Sequence, residues 1–471
     1  MPKDFNKLYR AFNPRCVAVV GDKVEPHFSW LRTQSTFQGK LYSVQINPEY
    51  IERIEAMGIK NYTSLLQIEE PVDLVIVSVP RAIATAVLDD CIAKGVAAVH
   101  FYTSGFGETG TAEGREMERL IVEKANGAGL NIIGPNCMGI FNPKIGIRQN
   151  ERQYSGMAGQ VGFISQSGTH ADTFSMEGHI FDVDINKSVS FGNGTVLDSA
   201  DYLEYFGQDP EIKVIGMYLE GVRKGARFLA VLREVAARKP VVIWKGGQTE
   251  GGARAIASHT GSLAGPHAVW IAAVRQCGAL AVDNLEELVD TMNGLIHLPP
   301  VRGDRVVLAG GSGGQSVAIA DTFVKAGLSV PPLSQESYDQ LETFFSLVGA
   351  GYRNPVDPGS NRAQIGRILD ILEGDTDTDN LVLVTWPGVW EHPPGFKEAL
   401  IKSARAIKNR TVKPVLVIMP HLSTPDEVRQ TGDVRRELLE AGIPAFPTFE
   451  RGARALRNVL DFYSLRALRG D

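Results

Sequence analysis

The chain has 471 residues, 44% of them hydrophobic, and 48 basic against 54 acidic residues give a formal net charge of −6. This composition predicts a globular protein of about three domains, each of roughly 150 residues. The charge provides no basic stripe for nucleic acid, no apolar run approaches the roughly 20 residues that cross a bilayer, and the N-terminus lacks an apolar signal segment. Because the four cysteines are too far apart for a metal or redox pair, we expect a cytoplasmic protein with no metal site of its own.

Short β-branched runs alternate with helix-length amphipathic segments, a pattern typical of parallel α/β sheets. The first block, residues 1–150, contains predicted strands that each end in Gly, Pro, Ser or Asn, from CVAVVG to NIIGPNC. Loops at such strand ends are where ligands bind. The segment GFGETG, Gly105–Gly110, fits a dinucleotide-binding pattern, but no acidic residue ends a strand about 20 residues later, so a tight turn is the simpler interpretation.

The second block, residues 155–298, contains ISQSGTH, in which a strand turns directly into a helix near Ser167 and Gly168. Free N–H groups at a helix start favour a phosphate, although a serine that caps the helix explains the same pattern. Farther along, Glu220 ends a predicted strand and His259 lies in GGARAIASHTGSLAG. We interpret that segment as a loop whose small side chains leave the imidazole free to accept a phosphoryl group, with Glu220 orienting the ring. The alternative for His259 is a histidine that is hydrogen-bonded in a packed loop, and the alternative for Glu220 is a solvated loop acid.

The third block, residues 301–471, opens with RVVLAGGSGGQ after a linker that contains proline and glycine. Ser312 in this segment fits the nucleophile position of a serine hydrolase, and Asp357 followed by His392 or His421 has the chain order of a triad. Four glycines in five residues also suit an anion-binding or closely packed turn. A serine hydrolase therefore stays open as an alternative function.

Four motifs, GPNCMG, ISQSG, YLEGV and ASHTGSLAG, occur in an order and spacing that resemble the alpha subunits of NDP-forming acyl-CoA synthetases, relatives of succinyl-CoA synthetase. The resemblance extends from CVAVVG to RNPVDPG and is looser in the C-terminal segment. It implies a Rossmann-like CoA-binding domain at 1–150, followed by two flavodoxin-like ligase domains with parallel sheets at 155–298 and 301–471.

The resemblance also implies a reaction, the reversible conversion of acyl-CoA, ADP and phosphate to a carboxylate, ATP and CoA. His259 matches the histidine that is phosphorylated in the family, Glu220 matches its partner, and backbone N–H groups at Ser167 and Gly168 match the phosphate cradle. An acyl phosphate and a phosphohistidine would be the intermediates. No ATP-grasp segment or GxxxxGK[ST] loop is evident, so ADP, ATP and magnesium are expected on a separate ATP-grasp beta subunit of a hetero-oligomer. A non-catalytic module that binds acyl-CoA is the remaining alternative.

In the family the GPNC loop faces the acyl group, which here implicates Asn136 and Cys137. The resemblance places CoA over strand ends that match Asn47, Pro48, Ser78, Val79, Pro80, Thr103, Ser104, Gly105 and Phe106. The loop GDKVEP after the first strand departs from the small residues usual in the family. We expect Asp22 and Glu25 in this loop to weaken CoA binding modestly, unless the loop points away from the ligand.

Overall fold

The computed structural model describes residues 4–25, 27–259, 266–420 and 424–469, except for the side chains of residues 257–259 and 469. The chain divides into two compact units, Met1–Leu285 and Glu286–Asp471. The second unit begins before the predicted start at 301, because a helix that precedes this position packs within it. On that helix Asp290 pairs with Arg451, and Gly294 lies against Val459.

The first unit contains two six-stranded sheets, and the first has the strand order β3-β2-β1-β4-β5-β6. All of its pairings are parallel. The order reverses between β1 and β4, which is the doubly wound arrangement predicted from the sequence, with a ligand crevice expected at the reversal. Its strands are β1 (Cys16–Val20), β2 (Lys40–Val44), β3 (Lys60–Tyr62), β4 (Leu74–Val77), β5 (Ala98–Phe101) and β6 (Asn131–Ile133). Its helices are α1 (Phe5–Phe12), α2 (Ser29–Thr33), α3 (Pro48–Ala56), α4 (Arg81–Lys94) and α5 (Ala112–Ala128).

The second sheet has the order β12-β11-β10-β8-β9-β7, in which β7 is antiparallel to β9 and the other pairings are parallel. Its strands are β7 (Gly139–Phe141), β8 (Val161–Ser165), β9 (Ile185–Ser190), β10 (Val214–Leu219), β11 (Val241–Lys245) and β12 (Leu280–Val282). Its helices are α6 (Gly168–Ile180), α7 (Ser199–Gln208), α8 (Gly225–Ala236), α9 (Glu250–His259) and α10 (His267–Gln276).

The two sheets of the first unit are joined more closely than the sequence predicts. Strand β7 lies before residue 150, yet it pairs with the second sheet, so the chain leaves the first sheet at Ile133 and enters the second at Gly139. In addition, Phe12 of α1 stacks on Tyr205 of α7, with ring centroids 5.1 Å apart. Shared aromatic packing and a shared strand connection therefore hold the two sheets in one unit.

The second unit is built on a four-stranded parallel sheet with the order β13-β14-β15-β16. A parallel sheet flanked by helices agrees with the predicted flavodoxin-like domain. Its strands are β13 (Val306–Ala309), β14 (Asn380–Val384), β15 (Val415–Ile418) and β16 (Ala445–Phe446). The helices of this part of the chain are α11 (Leu285–His297), α12 (Gly313–Lys325), α13 (Gln335–Glu342), α14 (Ile365–Gly374), α15 (Pro387–Trp390), α16 (Phe396–Lys408), α17 (Pro425–Glu440) and α18 (Phe449–Arg469).

Short 3-10 turns complete the connections between these elements. They lie at Gln34–Thr36, Leu65–Gln67, Gly107–Thr109, Pro143–Ile145 and Gly359–Gln364. Among the helices of the described ranges, none is long and apolar enough to span a membrane.

Candidate functional site

Two loops predicted to contact CoA lie side by side where β4 and β5 end. Thr103 Oγ1 donates a hydrogen bond of 2.7 Å to the backbone oxygen of Val79, which ties Thr103–Phe106 to Ser78–Pro80. Within these loops Val79, Thr103 and Phe106 are buried. The side chains that stay exposed for a ligand are those of Asn47, Pro48, Pro80 and Ser104.

A carboxylate of the chain already binds two backbone donors in this region. Glu108 Oε1 accepts hydrogen bonds from the N–H groups of Gly105 and Phe106, at 2.5 and 3.1 Å. Asn193, which follows β9 of the second sheet, donates Nδ2 to Glu108 Oε2 at 2.6 Å. Phosphate groups of CoA cannot use the two N–H groups while Glu108 holds them, so contacts at Gly105 and Phe106 would involve other atoms.

The acidic loop after β1 is folded onto itself. Asp22 is 2% exposed, and its carboxylate accepts hydrogen bonds from the N–H groups of Leu31 at 2.8 Å and Lys23 at 3.1 Å. Burial raises the pKa of Asp22, and these hydrogen bonds oppose the rise. Glu25 is exposed. Of the two acids in this loop, Glu25 is therefore the one that could repel CoA, because the Asp22 carboxylate is buried and hydrogen-bonded to nearby backbone N–H groups.

The GPNC loop connects β6 to β7 and lies between the two sheets. Its Asn136 adopts a left-handed conformation with φ +58°, and the Asn136 N–H donates to Thr103 O at 3.1 Å. Cys137 is buried, its Sγ donates to Phe101 O at 3.8 Å, and burial raises its pKa to about 12. Asn136 is partly exposed. Of the two residues predicted to face the acyl group, Asn136 is therefore the accessible one.

The predicted phosphate cradle is the N-terminus of α6. Ser167 caps this helix, because its Oγ accepts from the N–H of His170 at 3.3 Å. The N–H of Ser167 donates to Ser165 Oγ at 3.2 Å. Of the two predicted donors, the N–H of Gly168 is therefore the better candidate for a phosphate contact. A Cβ atom at Gly168 would lie 2.5 Å from Met138 Cγ. The helix start and the GPNC loop are therefore in direct contact.

Glu220 lies immediately after β10 and is buried, with 6% of its surface exposed. Gln166 Oε1 accepts hydrogen bonds from the N–H groups of Glu220 and Gly221, at 2.7 and 3.0 Å. Lys245 Nζ donates to Glu220 O at 2.7 Å, and burial lowers the pKa of Lys245. Glu220 Oε2 is buried and has no hydrogen-bond partner among the described residues. The alternative of a solvated loop acid is wrong, because the sheet and the cradle loop cover this carboxylate.

Three aromatic rings beside Glu220 were not predicted from the sequence. The His170 ring lies 4.3 Å from the Tyr218 ring and 4.5 Å from the Trp244 ring, measured between centroids. Tyr218 Oη donates to Glu220 Oε1 at 3.3 Å. Tyr218 precedes Glu220 by two residues, and side chains two residues apart on a strand lie on the same face, so this spacing was a signal in the sequence. The strand order, which brings Trp244 beside Tyr218, has no local signal.

The segment around His259 differs from the predicted loop. Residues Glu250–His259 form α9, and three alanines, the strongest helix formers, occur within this stretch. The side chain of His259 and residues 260–265 lie outside the described residues. Helix α9 contacts the 3-10 turn Gly107–Thr109, which brings this helix to the edge of the first sheet where the CoA loops lie.

Ser312, the candidate hydrolase nucleophile, caps α12 in an ordinary extended conformation with φ −91° and ψ 165°. In the described part of the chain its hydroxyl bonds to Gln315 Oε1, at 3.2 Å. A nucleophile elbow holds its serine in a strained turn. His421 lies outside the described residues. The helix cap accounts for Ser312, and the described geometry gives the hydrolase alternative no support.

Two family models match the chain. A model described as a CoA binding domain matches residues 15–143, and one described as a succinyl-CoA ligase like flavodoxin domain matches residues 158–295. The alpha subunit of ADP-forming acetate–CoA ligase II of Pyrococcus furiosus is 34% identical over 450 residues, 93% of this chain and 94% of that protein. The corresponding subunit of ligase I is 33% identical over 459 residues, 95% and 96% of the two chains.

The chain belongs to the family of ADP-forming acyl-CoA synthetase alpha subunits. It is therefore an acid–thiol ligase of the NDP-forming class. ADP-forming acetate–CoA ligase I of Archaeoglobus fulgidus is 32% identical over 97% of this chain but only 64% of that protein. A solved structure of acetyl-coenzyme A synthetase 1 from Candidatus Korarchaeum cryptofilum, described as dinucleotide forming and in complex with phosphate and ADP, has a TM-score of 0.83 at 30% identity, covering 98% of this chain and 97% of that one.

The acyl-CoA synthetase subunit brings most of its predicted site residues to one edge of the first unit. Hydrogen bonds and close contacts link the loops at Ser78–Pro80, Thr103–Phe106 and Gly134–Met138 to the start of α6. Gln166 then links that helix start to Glu220. No group of three or more His, Cys, Asp or Glu side chains in the described ranges is arranged to hold a metal ion.

Proposed function

We propose that this subunit carries the phosphoryl group of an NDP-forming acyl-CoA synthetase on His259, with Glu220 as the residue that orients the histidine. The overall reaction converts acyl-CoA, ADP and phosphate reversibly to a carboxylate, ATP and CoA. The alpha subunits of Pyrococcus furiosus are named for acetate and ADP, which supports a small carboxylate and ADP as substrates.

The observation that carries this proposal is the unused acceptor on Glu220. Glu220 Oε2 is a buried acceptor without a partner among the described residues, which costs roughly 1 to 3 kcal/mol, so it is free to accept a hydrogen bond from a donor that arrives during function. The N–H group of a neutral imidazole is such a donor. When Oε2 accepts from one ring nitrogen of His259, the other nitrogen carries the lone pair that attacks phosphorus.

The reaction proceeds in three displacements. An oxygen of inorganic phosphate attacks the thioester carbonyl, the C–S bond breaks, and CoA leaves with an acyl phosphate as the other product. The free nitrogen of His259 attacks the phosphorus of the acyl phosphate, and the carboxylate leaves. The terminal oxygen of ADP then attacks the phosphohistidine, which yields ATP and restores the histidine.

The start of α6 is suited to hold the phosphoryl group during these steps. The positive end of a helix of 13 residues and the N–H of Gly168 favour the developing negative charge. Met138 contacts Gly168, so an acyl group beside Asn136 would lie near a phosphate bound there. The geometry thus supports attack of phosphate on an acyl group held by the GPNC loop.

The remaining assignments are also proposals. CoA binds over the exposed side chains at the carboxyl ends of β2, β4 and β5. ADP, ATP and the magnesium that accompanies them bind to a separate ATP-grasp beta subunit, with which this chain forms a hetero-oligomer in the cytoplasm. The partner supplies the nucleotide, and this chain supplies the phosphate cradle, the carboxylate and the histidine.

The test is transfer of radiolabelled phosphate to the chain in the presence of a panel of acyl-CoA thioesters that includes acetyl-CoA. We expect an acid-labile, base-stable label that His259→Asn abolishes. His179→Gln is the matched control, because His179 lies at the far end of α6, where it pairs with Asp184, and this variant should keep the label. Label that persists in His259→Asn, or no label with any thioester, overturns the proposal. Labelling of Ser312 by a fluorophosphonate would instead support the hydrolase alternative.

A further inference from the structure

The structure surrounds Tyr218 with fixed neighbours. In the second sheet Tyr218 pairs with Ser165 of β8 on one side and with Trp244 of β11 on the other. Residues paired directly in parallel strands project from the same face, and residues two apart on a strand do so as well. Tyr218 and Glu220 therefore share the face on which Ser165, the last residue of β8, also lies.

The Tyr218 ring is held from two sides by other rings. Its centroid lies 4.3 Å from that of His170 and 4.6 Å from that of Trp244. Gly246 leaves room for the hydroxyl, since a Cβ atom at this position would lie 2.6 Å from Tyr218 Oη. The phenol is thus fixed in orientation by packing before any substrate binds.

The hydroxyl contacts only one of the two carboxylate oxygens. Tyr218 Oη donates to Glu220 Oε1, while Oε2 has no partner among the described residues. Burial and the neighbouring Glu220 raise the pKa of Tyr218, so the phenol keeps its proton and remains a donor. The 3.3 Å separation is long for an O–H···O bond, as is common for catalytic hydrogen bonds before substrate is present.

We propose that Tyr218 is a positioning residue that occupies Glu220 Oε1 and so presents Oε2 alone to the His259 ring. This inference rests on the proposed function. Without the phenol the carboxylate could turn about its terminal bond so that neither oxygen is aimed at the ring, and the histidine would then populate both tautomers. With the phenol in place, one ring nitrogen always carries the proton and the other always faces the phosphoryl group.

The test compares Tyr218→Phe, which keeps the ring packing, with Tyr205→Phe. Tyr205 is a buried tyrosine of the same unit whose hydroxyl has no hydrogen-bond partner in the described ranges. We expect Tyr218→Phe to slow the labelling of His259 about 10-fold or more, with an unchanged KM for acyl-CoA, as is typical when a residue that orients a ligating group is lost. Tyr205→Phe should label at the wild-type rate.

A second readout needs no substrate. In protein with nitrogen-15 histidine, the His259 signals, assigned by their loss in His259→Asn, should report one tautomer in the wild type and a mixture in Tyr218→Phe. In a Glu220→Gln background, Tyr218→Phe should change the labelling rate less than twofold. Wild-type labelling together with an unchanged tautomer in Tyr218→Phe overturns this inference and leaves the proposed function intact. A wild-type chain that never becomes labelled overturns the proposed function, and the tautomer readout then still decides the role of Tyr218.

Discussion

Glu220 is held by its backbone and by one carboxylate oxygen, so its second oxygen is the part that can act on another group. Gln166 accepts a hydrogen bond from the backbone N–H of Glu220, and Lys245 donates one to its backbone oxygen. Tyr218 donates to Oε1 of the side chain. In the proposed mechanism Glu220 orients the imidazole, and His259 is the residue that reacts. The contribution of the carboxylate charge can therefore be tested by a substitution that keeps the shape of the side chain.

Glu220→Gln keeps the volume of the side chain but replaces one acceptor oxygen with a donor and removes the charge. We expect phosphorylation of His259 to slow by about 10² or more, because orienting carboxylates elsewhere contribute on this scale. The measurement is the initial rate of label transfer from phosphate. Glu234→Gln on α8 is the control, since its carboxylate is 69% exposed and, among the described residues, forms its ion pair with Arg238 just beyond the end of the helix. Equal rates for wild type and Glu220→Gln would mean that this carboxylate has no part in the transfer.

His100 is a buried histidine whose ionisation opposes folding in acid. Its Nε2 donates to Cys137 O at 3.0 Å, and burial lowers its pKa to about 4. Because the folded-state pKa lies below the ordinary value of 6.5, the unfolded chain binds the proton first. Stability is therefore retained above pH 6.5 and lost as the pH falls towards 4, by at most roughly 3 kcal/mol from this group.

His100→Gln should therefore make the unfolding midpoint in urea less sensitive to pH between 6.5 and 4 than in the wild type. Its stability at pH 7.5 should also be lower, because Gly139 packs closely against the imidazole and the hydrogen bond to Cys137 is altered. Parallel pH profiles for the two proteins would show that His100 does not carry this ionisation.

The positions of several site residues could be predicted from the sequence alone. Ser167 as a helix cap and Glu220 at a strand end follow from local patterns, and the structure confirms both placements. The packing of His170 against Tyr218 and Trp244 could not be predicted, since it depends on which strands are neighbours in the sheet. The burial of Asp22 was also missed, because one of its hydrogen-bond donors, the N–H of Leu31, belongs to a short helix that has no strong signal in the sequence.

At the scale of elements, the approach of Gly192 to the GPNC loop fixes the contact between the two sheets. Gly192 has φ +49°, and a Cβ atom there would lie 2.2 Å from Asn136 O and 2.4 Å from Pro135 O. Both obstacles are backbone atoms, which cannot rotate away. Only a residue without a side chain therefore allows the segment after β9 to reach this loop.

Gly192→Ala should lower the free energy of unfolding by about 1 to 3 kcal/mol, the range for overpacking against backbone, and should slow labelling by displacing Asn136. Gly225→Ala is the matched control. Gly225 begins α8, no atom lies within 4 Å of its added Cβ, and alanine should be neutral or stabilising there. Urea unfolding of both variants measures the difference. A Gly192→Ala protein as stable as Gly225→Ala would contradict the close approach.

Most parallel strands of the three sheets could be predicted because they are short apolar runs that end in turn residues, but β3, β12 and β16 were not among the predicted strands. Strand β7 was not recognised, since its three residues carry too little pattern to show a direction or a partner. Helix α9 was taken for a loop because its glycines and small side chains were given more weight than its alanines.

At the scale of the whole chain, the two units have separate sheets and separate cores. The sequence predicts that the third block starts at 301, whereas the compact units divide after Leu285. A proline- and glycine-containing linker is visible in the sequence, whereas the packing of α11 against α18 involves residues far apart in the chain. Long-range packing of this kind has no local signature.

The chain alone should form no ATP from acyl-CoA, ADP and phosphate, because the nucleotide is proposed to bind to another subunit. Addition of a purified ATP-grasp beta subunit should start turnover, and His259→Asn should prevent it in the mixture. A coupled assay for ATP measures both. ATP formation by this chain without any partner would contradict the proposal and would require a nucleotide site within the chain.

Strand β7 also limits how such a chain can be divided. Its three residues come from the segment that follows the first sheet, yet they form the edge of the second. A gene split after residue 150 would give a downstream fragment in which β9 has unpaired N–H and C=O groups along one side. An exposed edge of this kind pairs readily with other chains and favours aggregation. Fission or fusion of genes in this part of the protein is therefore tolerable after β12, where the first unit ends at Leu285, but not between its first two sheets.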